Sequence, residues 1–126
     1  MEKFTKFARI AEIEFSNIVL STQDLGTKLR IYIKDKSFID FSYTTILKSR
    51  RFSIHWERAH LDKTFYRLDN TPDKKWMKIN TYPIHFHNSE YSKVRESPFA
   101  IKENLSLEVI FRMFLNFSKS KLEDNK

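Results

Sequence analysis

Whatever proton or anion chemistry this chain of 126 residues can do rests on its four histidines and the charged groups spaced around them. Two of the histidines, His85 and His87, lie two residues apart in the stretch TYPIHFH (81–87). In an extended chain successive side chains point to opposite faces. Tyr82, Ile84 and Phe86 then share one face, and His85 and His87 share the other. Two imidazoles side by side can hold a metal, move protons or grip a phosphate. They can also do no more than solvate a strand.

A second polar set comes from RFSIHWER (51–58) and TFYRLD (64–69). Both alternate. Phe52, Ile54 and Trp56 point one way, and Arg51, Ser53, His55 and Glu57 the other. Arg67 and Asp69 oppose Leu68 on their own segment. With Leu61–Lys63 as the connecting loop, Trp56 meets Leu68, Glu57 meets Arg67 and His55 meets Asp69. A slip of one residue would mix polar and apolar faces, which register rules disfavour. The expected result is a polar cluster of His55, Glu57, Arg67 and Asp69 on one face of a hairpin.

The elements that must carry these groups read as an α+β chain. LRIYI (29–33) and FIDFSY (38–43) are rich in β-formers, and the polar link KDKS between them suits a hairpin. With the two strands above and the one containing His85, they make an antiparallel sheet of about five strands. The links are too short for crossover helices. Leu107, Ile110, Phe111, Phe114 and Leu115 form the apolar stripe of a C-terminal helix running to about Lys121. Asn104 or Ser106 caps it, and Glu108 and Arg112 pair at i,i+4. The helix is expected to pack on one face of the sheet, with residues 122–126 frayed. Phe4, Phe7, Ala8 and Ala11 allow a short N-terminal helix over 3–14; the alternative is a strand over Ile13–Leu20. Asn70–Lys74 reads as a turn and Asn88–Lys102 as irregular. One domain spans residues 1–126.

Composition narrows the function. The net charge is +7, and residues 46–78 hold nine Lys or Arg against four acids. Aromatic residues lie between these charges. That pattern suits RNA or an acidic protein partner, with Arg51, Trp56, Lys74, Lys75, Trp76 and Tyr82 as nucleic-acid contacts. A merely soluble basic surface would look similar. The single glycine, Gly26, excludes phosphate loops that need several. The absence of cysteine excludes disulfides, zinc ribbons and a thiol nucleophile. No apolar run reaches the roughly 18 residues of a membrane span, and the N-terminus lacks a signal peptide's apolar stretch. No membrane association is expected, and the cytoplasm is the expected location.

Taken in order, the motifs FSIHW (52–56), YRLDNTP (66–72) and PIHFH (83–87), followed by an amphipathic helix, resemble the TumE-like family of small bacterial and archaeal toxins. The resemblance covers residues 27–120. Asp73 stands where the family pattern has a histidine, and Lys36 where its first hairpin has glycine. The resemblance implies growth inhibition relieved by a cognate antitoxin, either an acidic protein or a DNA-binding repressor.

The site chemistry points to RNA. Metal-independent cleavage needs a base for the 2′-hydroxyl, an acid for the leaving oxygen and a cation for the phosphate. His55, His85, His87 and Arg67 supply these, with Asp69 orienting His55. Trp56 or Tyr82, if exposed, would stack a base. A metal set of His55, His85, His87 and Asp69 is the weaker reading, because Arg67 would oppose a dication. No cofactor is called for. The expected function is the toxin of a type II toxin–antitoxin pair, acting on RNA by histidine-based cleavage. The alternative is a non-catalytic module that binds nucleic acid or protein. A homodimer is open to either.

Overall fold

The computed structural model describes residues 2–46, 49–70, 85–88, 94–95 and 105–124. Their elements are a 3-10 turn (Glu2–Phe4), α1 (Thr5–Arg9), a π turn (Ile10–Glu14), β1 (Val19–Asp24), β2 (Leu29–Ile33), β3 (Phe38–Ile46) and β4 (Ser49–Arg58). The turn α2 (Ala59–Asp62), β5 (Thr64–Asp69), β6 (His85–Asn88), the two-residue β7 (Val94–Arg95) and α3 (Leu107–Asp124) follow. The strands form one antiparallel sheet in chain order, β1 to β7. This is the expected α+β class. The two strands beyond the expected five are β1 and β7; Val94–Arg95 therefore departs from the irregular reading of 88–102. The strand reading of Ile13–Leu20 gives way to helix through Glu14 and a strand that starts at Val19.

Tight, sequence-encoded turns set the register. In the β2–β3 hairpin the Asp35 carboxylate accepts the backbone N–H of Ser37 at 2.9 Å. Lys36 sits at φ +77°, the left-handed region that favours glycine. Between β4 and β5 the connection is longer than Leu61–Lys63. Ala59–Asp62 makes one helical turn, and Lys63 ends it at φ +62°. The ladder therefore pairs Trp56 with Tyr66, His55 with Arg67 and Ser53 with Asp69. This is two residues from the expected register. Because side chains alternate with period two, that shift changes each residue's partner and leaves its face unchanged.

The sheet has an apolar face and a polar face. Leu29, Phe41, Ile54, Leu68 and Phe86 lie opposite one another across β2 to β6, all buried. The N-terminal helical segment and α3 supply buried residues to the same core. Phe7, Phe41 and Phe111 meet with ring centroids 4.7 to 5.2 Å apart. The stripe of α3 is buried at Ile110, Phe111, Phe114 and Leu115, and Ser106 Oγ caps the helix by accepting the Val109 N–H. Glu108 lends Arg112 a favourable charge, but the hydrogen-bonded partners of both lie elsewhere. Glu108 takes Lys6, and Arg112 makes a two-pronged contact with Glu14 at 2.8 Å, tying α3 to the N-terminal segment. The helix continues through Leu122–Asp124, which had been expected to fray. Among the described residues no helix is long and apolar enough to cross a membrane.

Candidate active site

One row of side chains crosses the polar face. Arg30 on β2 lies opposite Asp40, Asp40 opposite His55, His55 opposite Arg67, and Arg67 opposite His87. Neighbouring strands are about 4.8 Å apart, so each group in the row is next to the one after it. Arg30 and Asp40 form an opposite-charge cross-strand pair within the row, an arrangement that strengthens the ladder.

Arg67 stands between the two histidines. Its Nε donates to Asp69 Oδ2 at 3.1 Å. The same oxygen lies 3.7 Å from His87 Nε2. Asp69 is 4% exposed and His87 7%, whereas the Arg67 side chain keeps 31% of its surface. Asp69 thus serves Arg67 and His87 from below. The ladder sets Asp69 opposite Ser53, where a three-residue loop would set it opposite His55. Asn70 explains how Asp69 stays in place. Its side-chain carbonyl accepts the Phe52 N–H at 2.9 Å, and its amide donates to the Arg50 carbonyl at 3.0 Å. The amide thus continues the ladder one residue beyond β5 and ties the end of that strand to β4.

His55 has a different carboxylate. Its Nε2 lies 3.1 Å from Glu57 Oε1, and its ring stacks on Phe65 with centroids 5.3 Å apart. Glu57, expected to pair with Arg67, instead holds His55 and accepts the Ala59 N–H at 2.8 Å. Burial pushes the Glu57 carboxyl up, but the Ala59 N–H and His55 outweigh it and hold it below the ordinary carboxylate value. Glu57 is therefore ionised at neutral pH beside the His55 ring. Nδ1 of His55 is buried and Nε2 is turned to Glu57.

His55, Glu57 and Arg67 line a cleft of about 390 Å³, with Arg30, Phe38 and Asp40 on its far wall. Burial pushes the Asp40 carboxyl up, and Arg30 and Lys28 overcome this to hold it low. A shallower concavity of about 150 Å³ shares Arg67 and contains Arg51.

The remaining expected contacts divide. Trp56 cannot stack a base: it is 0% exposed, and its indole N–H donates to Ser37 Oγ at 2.8 Å. The alternation that groups it with Phe52 and Ile54 places it in the core. His85 is the ladder partner of Asp69 at the start of β6. Lys74, Lys75, Trp76 and Tyr82, together with Asp73, lie outside the described residues. Glu57 as the partner of His55, and Arg30 and Asp40 as members of the row, emerge only from the ladder and the side-chain contacts. Aligning FIDFSY with RFSIHWER as a hairpin would have set Asp40 beside His55.

A family model described as Toxin TumE matches residues 3–122. No curated protein and no solved structure matches the chain.

Proposed function

The chain belongs to the TumE toxin family, and from that premise we propose that it is a type II toxin that cuts RNA without a metal, using its row of polar residues. The observation that carries the reading is the order His55–Arg67–His87 across three adjacent strands. Displacement at phosphorus runs in line, so the attacking and leaving oxygens lie on opposite sides of the phosphate. A base and an acid must then approach from opposite sides. A guanidinium between two imidazoles suits that geometry.

In this reading Arg67 grips the phosphate with its planar fork. Asp69, below it, fixes its orientation. His55 is the acid: the Glu57 carboxylate, 3.1 Å from Nε2, stabilises the protonated ring, and on substrate binding the Nε2–H exchanges that carboxylate for the leaving 5′-oxygen and passes its proton to it. His87, on the other side, takes the proton of the 2′-hydroxyl, with Asp69 steadying the imidazolium that results. The 2′-oxygen bonds to phosphorus as the bond to the 5′-oxygen breaks, leaving a 2′,3′-cyclic phosphate and a 5′-hydroxyl. Arg51 in the adjoining concavity receives a neighbouring phosphate, and His85 remains a proposed member of the site. Lys74, Lys75, Trp76 and Tyr82 remain proposed contacts for the strand. The cognate antitoxin, acidic or a repressor, neutralises the toxin.

The test is cleavage of RNA by purified protein in excess chelator, with His55→Ala, His87→Ala and Arg67→Lys compared under identical conditions. Cleavage by wild type and its loss in all three variants, each still folded, support the reading. A folded wild type that binds RNA tightly and never cuts it, with or without added metal, supports the non-catalytic module instead. Induced expression with and without the antitoxin tests the toxin role itself, scored by growth.

A further inference from the structure

The far wall of the cleft holds a planar assembly that proton transfer does not use. Arg30 Nε and Nη2 donate to the two oxygens of Asp40 at 2.8 and 3.0 Å. Lys28 adds a 3.0 Å ion pair to the same carboxylate. The guanidinium carbon lies 4.1 Å from the centroid of the Phe38 ring. A two-pronged grip on one edge and an aromatic ring on one face fix the plane of an arginine. Two cations around one carboxylate leave the group net positive. An ion pair alone would need neither the ring nor the second cation.

The location matters as much as the construction. Arg30 and Phe38 line the same cleft as His55 and Arg67. The Arg30 side chain keeps 27% of its surface exposed. Arg30 is three strands from Arg67 along the row, roughly 14 Å between backbones. Both side chains line the one cleft that spans this gap. The cleft volume, about 390 Å³, falls within the range of small-ligand pockets, about 300–1,000 Å³.

We infer that the Phe38-braced Arg30 guanidinium is a stacking platform for an unpaired nucleobase beside the scissile phosphate, which makes single-stranded RNA the substrate class. This rests on the ribonuclease reading above. Arginine planes stack on bases without regard to identity, so the platform selects for an accessible base over a particular one. A base inside a duplex presents no free face to it.

The experiment measures equilibrium binding of three probes: a single-stranded oligoribonucleotide, an abasic ribose-phosphate chain of equal length, and the duplex form. Wild type, Arg30→Lys and Phe38→Leu are compared after thermal melts show that each is folded. Wild type should prefer the single strand to the abasic chain by about tenfold or more, the size of one base stack. Both variants should lose that preference while holding the abasic chain as wild type does, since Arg30→Lys keeps the charge and Phe38 carries none. Retention of the preference in both variants would overturn the inference, as would equal weakening towards both probes. A wild type that cuts RNA yet shows no preference removes the platform and leaves the ribonuclease. A wild type whose Arg30-dependent preference persists without any cutting keeps the platform and removes the ribonuclease.

Discussion

Trp56 and His55 are neighbours on β4 and belong to different regions. Trp56 faces the helices, is wholly buried, and its one polar atom is answered by Ser37. His55 faces the cleft among Glu57, Phe65 and Arg67. Along β2 to β6 the same division repeats. One face buries Leu29, Phe41, Ile54, Leu68 and Phe86; the other carries Arg30, Asp40, His55, Arg67 and His87. A single strand can serve stability and chemistry because the pleat separates them by one residue. Truncations on one face should therefore read out as lost folding, and truncations on the other as lost activity.

The sharpest contrast sets Phe41→Ala against His55→Ala. Phe41 packs against Phe7 and Phe111. Its truncation should cost about 3–5 kcal/mol in urea unfolding and remove RNA binding and cleavage together. His55→Ala, which removes a ring 13% exposed and stacked on Phe65, should cost less, on the order of 1 kcal/mol. RNA cleavage should fall by about 10²- to 10⁴-fold. A His55→Ala protein that unfolds as readily as Phe41→Ala would erase the division between the faces.

Asn70→Ala probes the join between the two regions. It removes the amide that pairs with the backbone of Phe52 and Arg50. The buried groups left behind should cost about 1–3 kcal/mol. Because Asp69 loses its anchor, cleavage should fall beyond what the lost folded fraction accounts for. Urea titration and turnover measured well below the transition separate the two effects.

Smaller effects test the turns and rim. Lys36→Gly relieves a left-handed backbone, worth up to about 1 kcal/mol after the greater freedom of glycine in the unfolded chain is subtracted. A raised melting temperature with unchanged activity is the expected result. Asp40 titrates in the folded protein below its ordinary value of 3.8. Its depressed pKa contributes stability that is fully present above that value and lost as pH falls through the folded pKa. Asp40→Asn should therefore lower stability at neutral pH and flatten its acid-induced loss below about pH 4. Equilibrium unfolding at several pH values checks the slope.

How much of this was legible follows from the periodicities. Strict alternation in RFSIHWER and TFYRLD places His55, Glu57, Arg67 and Asp69 on one face, and the face survives any even shift. Partner identity does not survive it. A turn that closes with a helical residue set and a left-handed Lys63 is two residues longer than its minimal reading, so Asp69 faces Ser53 instead of His55. Strand β1 gave no signal because it is an edge strand with a bulge near Leu20. Only Val19 is buried along it, and VLSTQD shows no alternation. The pairing of Glu108 with Lys6 and of Arg112 with Glu14 was hidden for another reason. Helical spacing offers a local partner, and tertiary packing supplied a stronger one. Arg30 and Asp40 were readable in principle. The KDKS hairpin fixes their opposition, but neither residue type announces chemistry until His55 is seen beside Asp40.

The most direct measurement of the central claim is cleavage, in chelator, of an oligoribonucleotide with a single 2′-deoxy substitution at the nucleotide bearing the scissile phosphate. Attack by the 2′-oxygen predicts that this substrate is bound and left intact, while the all-ribose parent yields a 2′,3′-cyclic phosphate. Scission of the deoxy substrate at the same bond and rate would contradict a 2′-hydroxyl mechanism run by the imidazoles beside Arg67.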